Sequence, residues 1–192
     1  AVGNANETIE AIEVLRGKGP SDVTAITYAL GSEMLVLGGK ADSPEQARNQ
    51  LGEAISSGRA LSTLKDLVTA QGGDAAAIDD YGRFPSAASS VDVTAGQDGI
   101  VQRIDAAEVG IAGMLVGAGR QKSSDVIDHG VGVTVHKHMG DNVGAGEPLA
   151  TIHYNDDTNL GAAKKRLLDA YDIGDETVTV GPLIIDTIRG DG

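Results

Sequence analysis

The chain has 192 residues and a formal net charge of −13, with 41% hydrophobic and 22% charged residues, no Cys, no Trp and one Phe. This is the composition of a soluble globular protein whose core rests on Ala, Val, Ile and Leu, in one domain or two modest ones. The acid excess argues against a nucleic-acid or anionic-membrane surface, the scarcity of aromatics against base stacking, and the lack of Cys excludes disulfides and thiolate chemistry.

No apolar run approaches the ~20 residues that span a bilayer, and the first residues do not read as a signal peptide, so a cytoplasmic location is expected. Ala1-Val-Gly-Asn4 reads as mid-sequence, and the expectation is a piece of a longer chain.

Residues 6–15 alternate Ile9, Ile12, Val14 and Leu15 with Glu7, Glu10 and Glu13, which predicts a helix ending at Gly17. Ser21 is placed to cap a second helix, with Val23, Ile26, Leu30, Met34 and Leu37 on one face and Gly38-Gly39 as its stop. Ser43-Pro44-Glu45-Gln46 predicts a capped third helix running toward Ile55. A fourth carries Leu61, Leu64, Leu67 and Val68 and ends at Gln71-Gly-Gly-Asp74.

After the linker-like Phe84-Pro85 the pattern turns to short strands, 91–95 and 99–105, then a buried helix over 106–116. A glycine-rich loop follows, then strands 131–136 and 149–154 around the turn 140–146, and an amphipathic helix 160–171. Val178–Val180 and Leu183–Ile188 predict a final pair of strands. The fold class expected is α+β, divided into residues 1–83 and 84–192.

Several residue groups invite chemistry. The loop 115–133 holds Gly117, Gly119 and Arg120 with Asp125 and Asp128, a composition suited to close backbone approach and anion contact. Without a third glycine or a βαβ setting it is no dinucleotide loop, and the plainer reading is a helix end whose last carbonyls Arg120 satisfies. Asp125 and Asp128 are an acid pair or, more simply, turn caps and partners of Arg120. His136, His138 and His153 allow a zinc site or a polar strand face. Lys164-Lys165-Arg166 reads as a solvated helix end favoured by the dipole. Gly99-Ile-Val with Gly140-Asp-Asn-Val-Gly-Ala-Gly-Glu-Pro148 matches the two ends of a biotinyl or lipoyl carrier, for which Lys137 or Lys122 would have to carry the cofactor.

Four segments in register carry a resemblance to one family. Ala1-Val-Gly-Asn-Ala5 with Glu7 and Glu10-Ala-Ile, Gln71-Gly-Gly-Asp74, Leu115-Val-Gly-Ala-Gly-Arg120 with Asp125-Val-Ile-Asp128 and Val131-Gly132, and Gly140-Asp141 with Gly146-Glu-Pro-Leu149 resemble pyrimidine-nucleoside phosphorylases, the thymidine phosphorylase family.

The resemblance implies a cytoplasmic, homodimeric pentosyltransferase of nucleoside salvage, using inorganic phosphate and a pyrimidine nucleoside and no organic cofactor, nucleic acid or membrane. It implies that residues 1–83 complete a central α/β domain and 84–192 form a C-terminal sandwich-like (hammerhead, lipoyl-like) subdomain. The family's catalytic and substrate-binding groups lie upstream of the segment matching Ala1, so none is carried over, and the missing N-terminal portion is the expected partner. Two positions transfer as ligands of a monovalent cation, potassium: Ala1 through its carbonyl and Glu10 through its carboxylate. Asn6 and Thr8 stand where the family has apolar residues. Gly117, Gly119, Arg120 and Asp125 resemble a loop bordering the interdomain cleft. The alternative is a non-catalytic carrier module.

Overall fold

Helices fill the first 80 residues because apolar positions recur at helical spacing between strong stop signals, and the computed structural model, which describes residues 1–188, follows that punctuation. The helices are α1 (Ala5–Leu15), α2 (Ser21–Leu37), α3 (Pro44–Ser56) and α4 (Arg59–Ala70). Ser43 caps α3 by accepting from the Gln46 amide at 3.2 Å. Gln46 reaches back to the amide of Asp42 at 2.7 Å, one residue before the usual partner in a capping box. Ser21 is not a cap: it is the first helical residue of α2, and Pro20 holds the cap position without a side-chain bond.

The apolar positions of α2 do share a face, and that face is open. Ile26 is 38% exposed, Leu30 61%, Met34 71% and Leu37 86%. On the side of α2 toward α3 stand Tyr28 and Gly31, and Ser32 is buried. A Cβ added at Gly31 would stand 3.0 Å from Leu51, and the Arg48 guanidinium lies 4.8 Å from the centre of the Tyr28 ring.

Two 3-10 turns that hydrophobic spacing does not announce, Ala75–Ile78 and Tyr81–Arg83, follow α4. Arg16 donates to the Ile78 carbonyl at 2.6 Å and lies 5.3 Å from the Tyr81 ring centre. The Tyr81 hydroxyl donates to Glu13. Burial first, then the bond to Glu13, raises the Tyr81 pKa above its ordinary value.

Contacts divide the chain into two units, one of Ala1–Thr8 with Gly82–Val180 and one of Ile9–Tyr81 with the described residues from Gly181 on. Residues 1–8 join the β-rich unit because Val2 and Gly3 form a strand, β1, against Val133 and Gly132. A two-residue strand leaves no periodicity to read.

In that unit the further elements are β2 (Ser89–Thr94), β3 (Gly99–Ile104), α5 (Ala106–Leu115), β4 (Gly132–Val135), β5 (Asn142–Val143), β6 (Pro148–Tyr154), α6 (Leu160–Ala170) and β7 (Tyr171–Gly174). They form two antiparallel sheets, β1-β4-β6-β2 and β5-β3-β7. Val93, Val101, Val133, Leu149, Ile152 and Leu167 belong to one buried cluster, so both sheets and α6 share a core. The fold is thus mixed α+β, with six helices and two small antiparallel sheets among the described residues.

The expected final strands 178–180 and 183–188 do not form; both segments are irregular. The edge of β3 is taken instead by Tyr171–Gly174, in the register Val101↔Ile173 and Ile104↔Tyr171. A strand-prone segment without a free edge has no ladder to join. Lys164, Lys165 and Arg166 sit in mid-helix rather than at the end of α6. Arg166 bridges to Glu108 of α5 at 2.8 Å, and Lys165 pairs with Asp169 at 2.5 Å.

Candidate functional site

The loop from Val116 to Val131 is held at both ends by backbone chemistry. Gly117, at φ 103°, closes α5: its N–H meets the Met114 carbonyl at 3.0 Å and the Ala118 N–H meets Gly113 at 3.0 Å. That is the six-to-one and five-to-two pairing of a Schellman end, and it uses the helix's last carbonyls without Arg120. Arg120 is exposed and makes no hydrogen bond or ion pair with the described residues. Gly119 has room for a side chain, its nearest neighbour, Met114, standing 3.5 Å from an added Cβ.

The two aspartates are turn anchors. Asp125 accepts from the amides of Gln121 at 3.0 Å and Lys122 at 2.8 Å, not from Arg120. Asp128 accepts from the Gly130 amide at 2.9 Å and from Asn155 at 2.7 Å. With each carboxylate engaged by donors of its own, the geometry is that of two separate caps rather than a coupled acid pair.

Residues outside the expected site complete the anchoring. Asn4 donates to the Ala118 carbonyl at 2.8 Å, and the amide of Ala5 meets the His129 carbonyl at 3.1 Å. Asn6 donates to the carbonyls of Val2 at 3.1 Å and Val133 at 3.3 Å. A polar residue at position 6 therefore stitches β1 to β4. A cavity of about 300 Å³ opens beside the loop, lined by Leu115, Gly117, Gln121, Asp125, Asp128 and Asp156 among others.

Two of the histidines pair with threonines. His153 Nε2 lies 2.9 Å from Thr134 Oγ1, and His136 Nε2 lies 2.7 Å from Thr151 Oγ1. Thr151 donates its one hydroxyl proton to Asp92 at 2.6 Å, so His136 must donate through Nε2. Burial, and then the neighbouring His136, lower the His153 pKa below its ordinary value. His138 lies beyond β4, its amide bound to Asp141 at 2.7 Å. No three His, Cys, Asp or Glu side chains converge on a metal position among the described residues.

Ala1 precedes β1, and Glu10 stands in the second turn of α1, whose first-turn acid is Glu7. Their oxygens are of the type a hard cation takes, but two donors are only a fraction of such a shell.

Lys137 is not placed to carry a cofactor. Its ammonium meets Glu147 at 2.9 Å and the Asn142 carbonyl at 3.0 Å, and its side chain is 19% exposed. A carrier lysine needs an exposed hairpin tip, so the carrier alternative loses its principal residue.

A mixed α+β unit with two small antiparallel sheets, one core and a Schellman-ended loop is the class of domain in hand. Its residues 100–174 match the family described as pyrimidine nucleoside phosphorylase C-terminal domain. The chain is 46% identical over 155 residues to the pyrimidine-nucleoside phosphorylase of Bacillus subtilis, a match covering 81% of this chain and 36% of that protein. It is 41% identical over 188 residues to the enzyme of the same name from Staphylococcus haemolyticus, covering 98% of this chain and 43% of that one. The chain belongs to the pyrimidine-nucleoside phosphorylase family, and it spans less than half the length of these relatives.

Proposed function

We propose that this chain is the C-terminal part of a pyrimidine-nucleoside phosphorylase, a pentosyltransferase that moves a ribosyl or deoxyribosyl group between a pyrimidine base and inorganic phosphate. The observation that carries the reading is 41% identity sustained over 98% of the chain. The helical unit then completes a central α/β domain, and the β-rich unit, residues 1–8 with 82–180, supplies a sandwich-like subdomain, in a cytoplasmic homodimer.

In such a reaction phosphate attacks the anomeric carbon while cationic and hydrogen-bonding groups stabilise the departing base. No residue of this chain is assigned to those tasks. Gly117, Gly119, Arg120 and Asp125 are assigned to a loop at the cleft, with Asp125 ordering the backbone and Arg120 free to meet an incoming group. Ala1 and Glu10 are assigned as oxygen ligands of a potassium ion.

The purified chain alone is expected to release no base from uridine or thymidine with phosphate, and a measurable rate would sink the assignment. A chimera in which this chain replaces the matched portion of the Bacillus subtilis enzyme is expected to be active. In that chimera Arg120→Ala lowers kcat/KM about 10-fold or more, the scale of one charge-assisted hydrogen bond. Unchanged turnover and unchanged KM would remove the loop from the mechanism.

A further inference from the structure

The paired β4 and β6 segments carry the same three-residue pattern, Thr134-Val-His136 and Thr151-Ile-His153. Thr134 stands directly opposite Thr151, so the two copies are related by a local two-fold axis, and each histidine reaches diagonally to the threonine of the other strand. Val133, Ala150 and Ile152 turn to the core, which gathers the threonines and histidines on the other face of the sheet. β2 breaks the symmetry. Asp92 stands opposite Thr151 and takes its hydroxyl proton at 2.6 Å, which leaves Thr151 to accept from His136 at 2.7 Å. Thr134 has no such carboxylate: among the described residues its hydroxyl meets only His153 Nε2, at 2.9 Å.

We propose that this doubled Thr-x-His motif is an acid-sensitive clasp between β4 and β6, closed while His153 is neutral and opened by its protonation. In the closed form Thr134 donates to Nε2 of His153, whose own proton sits on Nδ1, while His136 holds the opposite tautomer with its proton on Nε2. A further proton on His136 leaves its bond to Thr151 in place, because Nε2 already donates. A proton on His153 does not. Its Nε2 turns from acceptor to donor, Thr134 must swing its hydroxyl hydrogen away, and a cation appears at a half-buried position. The charged groups acting on His153 come from both sides, His136 directly after β4 and Asp92 of β2, while Ser90, its direct neighbour on β2, is uncharged. Burial, and then the His136 charge, outweigh Asp92 and hold the His153 pKa below its ordinary 6.5. The clasp is therefore complete above pH 6.5 and is lost as pH falls from there through the folded pKa. His153 stands opposite Gly132, which pairs in turn with Gly3 of β1. Opening the clasp thus loosens the point where the loop 116–131 returns to the sheet.

The test follows the 192-residue chain by NMR from about pH 8 to about pH 5. Proton–nitrogen correlation spectra of the imidazoles at the alkaline end should show His136 with its proton on Nε2 and His153 with its proton on Nδ1. His153 should titrate with a midpoint below 6.5, and His136→Gln, which can still donate to Thr151, should move that midpoint upward. Amide protection at Gly132–Val135, corrected for the intrinsic pH dependence of exchange, should fall about 3-fold or more across the range. His153→Gln, a side chain that reaches Thr134 without taking up a proton, should abolish that fall. The tautomers and the midpoint are read in the unaltered chain and decide the matter even where a variant does not fold. A His153 midpoint at or above 6.5, a His153 proton on Nε2 at the alkaline end, or protection that does not respond to pH overturns the proposal. So does a loss of protection that persists unchanged in His153→Gln.

Discussion

Single residues in this chain do structural work that their chemistry alone would not assign. Tyr171 is the clearest: burial, and then the Asp141 charge, push its pKa up to about 12. Its hydroxyl lies 3.2 Å from the carbonyls of Lys137 and Leu149, so the neutral form fits and the phenolate does not. The folded pKa is above the ordinary 10.0, so this contribution is complete below pH 10 and is lost as pH rises toward 12. Alkaline titration of tyrosine absorbance should show a late phase near pH 12 that Tyr171→Phe removes; a titration without it contradicts the assignment. Asp125 makes a local prediction. Asp125→Ala should speed hydrogen exchange at the amides of Gln121 and Lys122 while barely moving Tm, since both bonds lie in an exposed loop.

At the scale of elements, close approach decides what sequence patterning leaves open. A Cβ at Gly132 would stand 2.4 Å from the Val2 carbonyl, so Gly132→Ala must push β1 off β4 and should cost about 1–3 kcal/mol in chemical denaturation. No loss of stability would mean that the β1–β4 pairing contributes nothing. The long helices were legible because their apolar spacing and glycine stops agree, and so were the strands near 91–95 and 131–136, whose valines alternate, and those near 99–105 and 149–154, which follow glycine-rich turns. β1 and β7 were not legible. One is two residues long, and the other begins at the residue directly after α6, so its pairing with β3 depends on an edge that only the assembled sheet provides. The loop at Gly117 was legible as a helix stop; the donors that anchor it, Asn4 and Asn155, lie far away in sequence and carry no local signal.

The whole molecule pairs a well-filled β-rich unit with a helical unit whose most apolar helix face is open. That asymmetry is what a chain covering 36–43% of its relatives' length would have if its helices complete a layer supplied by the rest of the polypeptide. The resemblance was legible in sequence because four motifs stand in register; the open face was not, because helical periodicity says that residues share a side, not what covers it. The most direct measurement is phosphate-dependent release of uracil or thymine by the Bacillus subtilis chimera, assayed beside the unaltered Bacillus enzyme. Uridine or thymidine cleavage that requires phosphate and yields the pentose 1-phosphate is the predicted result. A folded chimera that releases no base while its parent is active would contradict the account.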